Sequence, residues 1–216
     1  MAIEFIEGNA SQGDLGDVNF ANTLQENDIV VCVSAADQSE LHDFQLEVFH
    51  GYTVLQSLSD PHGAVAYKFM GSSPDISFPD LGLGCFAFHV YRGVDTVAPL
   101  DAAYASSSGA TGMPDAPIST SLTDGAQRVI IGALDDDNAS GSVTMPTGYT
   151  NLQAASGGAG SPSTVMIAGA AAPTAGANDP AAFGGTGNDQ WRAAHIILRP
   201  AVDPASAQGA AMVIGL

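Results

Sequence analysis

Positive charge is scarce in this chain of 216 residues: Lys and Arg number 5 against 23 Asp and Glu, the formal net charge is -18, and Lys68 is the single lysine. A nucleic-acid backbone is held by clustered Lys and Arg that displace its counterions, so nucleic acid is excluded as a partner. Charge-driven docking on an anionic membrane is excluded with it. Long apolar runs are also missing, since none approaches the roughly 18 residues of a membrane span. Residues 1–8 lack the basic and apolar regions of a signal peptide, so synthesis in a host cytoplasm and a soluble product are expected. Cysteine is limited to Cys32 and Cys85, each inside an apolar stretch where a thiol acts as a small buried hydrophobe. Both are expected to be reduced, with a cross-strand disulfide as the alternative.

What is present points to an all-β fold. Apolar residues make up 45% of the chain and charged ones 13%, too hydrophobic for disorder, while 25 Gly and 12 Pro favour turns over surface helices. Short β-branched and aromatic runs bounded by turn residues predict strands over 28–34, 52–58, 63–70, 84–92, 127–133, 149–154, 163–169 and 192–199. Residues 41–49 fit a strand or one short helix. Ser, Gly and Ala dominate 106–115 and 154–162, which read as loops.

An internal repeat organises these strands. The apolar run 28–37, ending in an acidic loop, matches 127–136, and Gly51-Tyr52-Thr53-Val54-Leu55 returns as Gly148-Tyr149-Thr150-Asn151-Leu152. Residues 64–69 align with 164–169, and 86–92 (FAFHVYR) align with 193–199 (AAHIILR). The reading is a single β-sandwich domain over 1–200, built from two four-stranded pseudo-repeats near 25–93 and 124–200 and joined by the crossover 95–123. Four strands with one apolar face need a second such face to cover them. Residues 3–6 add an edge strand. The tail 201–216, apolar at its end, is expected to serve attachment or intersubunit contact.

Catalytic spacings are absent: the sequence holds no HExxH, nucleophile elbow, phosphate-binding glycine loop or CxxC. No catalytic, cofactor-binding or metal-ligating residue is therefore assigned, no cofactor is expected, and the protein is not read as an enzyme. His89 and His195 occupy nearly equivalent places in the repeats and read as half-buried strand residues, while His42, His50 and His62 lie in or beside loops. Asp135-Asp136-Asp137-Asn138 is the densest acidic cluster; it reads as a solvated loop, with a calcium site as the alternative. Tyr52, Tyr149, Phe44 and Phe49 read as core, and Trp191, beside a Gly- and Asn-rich loop, is a candidate for exposure to a sugar ligand.

One resemblance goes further. The segments 29–37, 51–55, 66–69, 86–95 and 196–200, above all Tyr91-Arg92-Gly93-Val94-Asp95, are similar to a jelly-roll-like domain of bacteriophage and prophage structural proteins, covering about 25–200. It implies a virion protein without catalytic residues, as in head decoration, head-fibre or tail-associated proteins. The expected function is a capsid decoration or cement protein on the particle exterior, with the major capsid protein or other virion proteins as partners and a homo-oligomeric state. A tail-associated or host-facing protein and a carbohydrate-binding adhesin module are the alternatives.

Overall fold

The computed structural model describes residues 2–12, 18–36, 45–59, 61–79, 81, 84–135, 142–157, 163–187 and 189–202. The fold is all-β, two antiparallel sheets packed as a sandwich. In chain order its strands are β1 (Glu4–Gln12), β2 (Val18–Asn19), β3 (Ile29–Ala36), β4 (Thr53–Ser59), β5 (His62–Phe69), β6 (Ser77–Phe78) and β7 (Cys85–Arg92). They continue as β8 (Ala105–Gly109), β9 (Ser119–Ser121), β10 (Ala126–Leu134), β11 (Thr150–Ser156), β12 (Thr164–Ala172), β13 (Gly176–Asn178) and β14 (Trp191–Leu198). A single wide helical turn, Gln45–Phe49, precedes β4. All eight strands expected from periodicity are present, and the edge strand expected at 3–6 is β1, which pairs with β7 and runs on to Gln12.

Each sheet is drawn from one half of the chain. The first has the order β1-β7-β3-β5-β4 and the second β11-β12-β10-β14-β8. Read from the other edge, the second becomes β8-β14-β10-β12-β11, so every strand sits where the strand seven earlier sits in the first sheet. The two-stranded ribbons β2-β6 and β9-β13 obey the same rule. The repeat is thus larger than the four strands legible in the sequence. It also corrects two loop readings: β8 overlaps 106–115 and lies with β9 inside the crossover 95–123, and β11 extends to Ser156.

Ladder register fixes the correspondence. Thr53 pairs with Tyr67 as Thr150 pairs with Gly169, and Gln56 with Val65 as Gln153 with Ile167, each couple separated by a bulge. Tyr67 therefore corresponds to Gly169, two residues away from the alignment of 64–69 with 164–169. Gly51 and Gly148, with φ of 69° and 90°, supply the left-handed turn before each of these strands.

The sandwich is four layers deep. Ile29, Val31, Val33, Val65, Ala87 and Tyr91 of the first sheet meet Val129, Ile131, Val165, Ile167, Ile196 and Leu198 of the second. On the outer side of the first sheet Val30, Cys32, Phe86, Phe88 and Val90 are covered by Leu24, Leu46, Tyr52 and Phe78. On the outer side of the second, Ile130, Met166 and Ala168 lie under Val143, Tyr149 and Phe183. This double covering explains why β3 is buried on both faces and reads as an unbroken apolar run. Among the described residues no helix is long and apolar enough to cross a membrane.

Candidate functional site

The two histidines named from the sequence are fully buried rather than half-buried, and they face opposite ways. His89 pairs across the ladder with Val31 of the inter-sheet layer, whereas His195 pairs with Ile130 of the outer one. Because side chains alternate along a strand, a correspondence displaced by one residue moves a side chain to the other face. The register that makes Arg92 correspond to Arg199 makes Phe88, not His89, the counterpart of His195.

His89 Nδ1 lies 2.8 Å from the Tyr91 hydroxyl and Nε2 lies 2.7 Å from the Asn151 carbonyl. Burial pushes its pKa down to about 4, so the ring is neutral at neutral pH and both nitrogens are engaged. His195 donates from Nδ1 to the Pro117 carbonyl at 2.9 Å, and its Nε2 stands 3.4 Å from the Tyr149 hydroxyl. That hydroxyl donates to Asn178 Oδ1 at 2.6 Å, and burial pushes the phenol up to about 12. Both nitrogens of His89 and the Nδ1 of His195 are thus engaged by neighbours inside the protein, an arrangement that ties strands to the segments packed on them.

The two closing arginines hold buried carboxylates. Arg92 grips Asp28 through two bonds of 2.7 and 2.8 Å. Arg199 Nε lies 3.4 Å from Asp101, which also accepts from the Leu122 and Thr123 amides and the Thr123 hydroxyl. Burial acts to raise the Asp101 pKa, but these hydrogen bonds outweigh it and hold the carboxyl below its ordinary value. Among the described residues no three His, Cys, Asp or Glu side chains group to hold a metal ion. Asp136, Asp137 and Asn138 of the acidic cluster lie outside the described residues, as do Phe44, His42 and the tail from 203.

Both cysteines are free and buried; the Cys85 thiol approaches the Ser163 carbonyl at 3.3 Å, and burial pushes it up to about 11. The aromatic residues considered for sugar stacking are mostly core. Tyr52 and Tyr149 are buried, and Trp191, only 9% exposed, donates from its indole to the Thr111 carbonyl at 3.0 Å.

Phe49 is the exception at 69% exposure, and it leads to the site that sequence reasoning missed. Phe49 and Ile76, itself 79% exposed, line an open groove of about 420 Å³ with His50, Lys68, Pro74, Asp75 and Pro79. Lys68 gives its charge to Asp75 at 2.6 Å. Ile76 also borders a second groove, beside Phe20 and Asn22. The groove sets two exposed apolar side chains among polar ones whose lysine and aspartate are paired with each other, a mixture suited to contact with another protein surface. An isolated exposed isoleucine before a two-residue strand has no periodicity to mark it, so no sequence signal singles it out.

Comparison with protein-family models, with curated proteins and with solved structures finds no match to this chain.

Proposed function

We propose that this protein is a structural component of a bacteriophage virion, a decoration or cement protein that binds the assembled head on its exterior. The observation that carries the reading is the contrast between the two kinds of site. The buried His89 and Asp101 are held by hydrogen bonds within the protein, while Phe49 and Ile76 stand exposed around an open groove on the sandwich. Attachment to the major capsid protein, or to another virion protein, through such a patch needs only modest affinity per copy. Many copies on a closed lattice act together, and contacts among them make the protein effectively oligomeric on the particle.

The test is reconstitution. Purified protein added to heads that lack it is expected to bind saturably at a fixed number of copies per head and to raise the temperature at which heads disrupt. Ile76→Asp, which places a charge at the centre of the patch, is expected to weaken binding at least tenfold. Failure of the unaltered protein to bind heads, or its location in tails by electron microscopy of particles, overturns the reading.

A further inference from the structure

The mostly apolar layer between the sheets is crossed by a line of hydrogen bonds that contains its buried histidine. It starts at Gln127 of β10, whose amide is bonded to the Tyr91 hydroxyl, passes to His89 Nδ1 at 2.8 Å, and ends where His89 Nε2 meets the Asn151 carbonyl at 2.7 Å. A carbonyl only accepts, so Nε2 carries the ring proton. Nδ1 is then a lone pair, and the Tyr91 hydroxyl donates to it. The donor direction runs from Gln127 through Tyr91 and His89 to Asn151: out of the second sheet, through the first and back into the second.

The surrounding backbone is shaped for this line. A Cβ at Gly169 of β12 would stand 2.6 Å from the Tyr91 oxygen and 2.9 Å from the Gln127 amide nitrogen. One at Gly8 of β1 would stand 2.7 Å from His89 Cδ2. Asn151, with a left-handed φ of 58°, sits in the bulge of β11 and presents the accepting carbonyl. Phe5 closes the site, its ring edge-on to both His89 and Tyr91.

We propose that this line is an acid-sensitive clamp between the two sheets, released by protonation of His89. A proton on Nδ1 turns it from acceptor to donor and sets it against the donating Tyr91 hydroxyl. Reversal of that hydroxyl must then pass to Gln127, whose amide has to turn over and give up its bond of 3.2 Å to the Arg128 carbonyl. Among the described residues the new charge also has no counter-ion. The groups facing His89 are Tyr91 on β7, Phe5 and Gly8 on β1, Val31 on β3, Gln127 on β10, Asn151 and Gln153 on β11, and Gly169 on β12. Tyr91 alone among them titrates, and burial pushes it up, away from ionisation. Glu7 of β1 points to the outer side, where it accepts from Asn22.

The folded state takes up the His89 proton only near pH 4, the unfolded chain near 6.5, so the unfolded state binds more protons throughout that window. The clamp is fully effective above pH 6.5 and is lost as pH falls toward 4. The expected loss is about a hundredfold in the folding equilibrium constant.

Urea unfolding of the full chain between pH 7 and pH 4, compared with His89→Gln, tests this. The glutamine keeps a donor for Asn151 and an acceptor for Tyr91 but takes no proton. Carboxylate titration is common to both proteins, so the difference isolates His89. The unaltered protein is expected to lose about a hundredfold relative to the variant; parallel profiles overturn the proposal. Should the variant not fold, nitrogen NMR of the unaltered imidazole decides. A neutral ring protonated at Nε2 and persisting below pH 5 supports the clamp, whereas titration near 6.5 or a proton on Nδ1 overturns it. The clamp does not depend on the virion reading, and neither outcome alters the head-binding test.

Discussion

Arg92 and Asp28 share one ion pair but not one environment. The Asp28 side chain is 0% exposed and the Arg92 side chain 31%, so removal of either partner leaves a different remainder. Arg92→Leu strands a carboxylate with the Gln25 amide as its remaining described donor, at 2.7 Å. Asp28→Asn instead leaves a guanidinium that water reaches. Breaking a buried pair costs about 3–5 kcal/mol when a charge stays buried and unpaired. Arg92→Leu is therefore expected to destabilise by about 3 kcal/mol and Asp28→Asn by about 1 kcal/mol, read from denaturant midpoints. Equal costs would mean that Asp28 finds another partner when Arg92 is lost. Of this and the His89 line, part was legible in the sequence: Tyr91 follows His89 by two residues, so the strand period puts them on one face. Gln127 and Asn151 lie on the other sheet, and strand periodicity carries no information about which residue meets which across a sandwich.

At the scale of elements, the strands that periodicity marked are the ones with branched or aromatic side chains on at least one buried face. The strands it missed follow other causes. β8 is Ala-Ser-Ser-Ser-Gly, poor in strand formers, and exists because its backbone completes the ladder of β14, from Trp191 paired with Gly109 to His195 paired with Ala105. The ribbons β2-β6 and β9-β13 are two or three residues per strand, too short for alternation to show. The duplication also makes a controlled comparison of one motif in two settings. Tyr149 donates to Asn178 and faces His195, whereas Tyr52 packs against Phe78, and its buried hydroxyl has no hydrogen-bond partner among the described residues. Phe88, the counterpart of His195, stacks on Phe78 in the same layer. Tyr52→Phe is accordingly expected to leave stability unchanged or raise it by up to about 1 kcal/mol, since a buried unpaired hydroxyl is unfavourable. Tyr149→Phe should lower it by about 1–2 kcal/mol, because Asn178 loses its donor. Thermal or urea denaturation of both variants checks the contrast, and effects of the same sign would show that the two halves treat this tyrosine alike.

For the whole molecule, duplication and burial set the limits of what each half can do alone. Because β8 pairs with β14, the first seven strands end at Arg92, and the boundary between halves falls in the segment between Val94 and Ala105. The first half already has a covering layer on its outer side, so one of its two apolar faces survives separation. Its other face, with Ile29, Val31, Val33, Val65, Ala87 and Tyr91, has its cover on the second sheet. His89 would lose the Asn151 carbonyl and Tyr91 the Gln127 amide at the same time. A two-layer remnant that exposes a contiguous apolar sheet face associates instead of remaining a soluble monomer. Residues 1–98 expressed alone are therefore expected to aggregate or to lack a cooperative thermal transition, and addition of residues 99–216 during refolding is expected to restore one. The C-terminal cut-off has its own limit, because Pro200 bridges Val94 and the Ala201 amide donates to the Gly93 carbonyl at 2.8 Å. A truncation intended to test the tail as an attachment segment should keep Val202. Ending the chain there is expected to leave the melting temperature within about 2 °C of the full protein, as surface deletions away from packed features do. Head binding, if the tail serves attachment, would fall; a drop of about 10 °C in melting temperature would instead assign residues 203–216 to the fold itself.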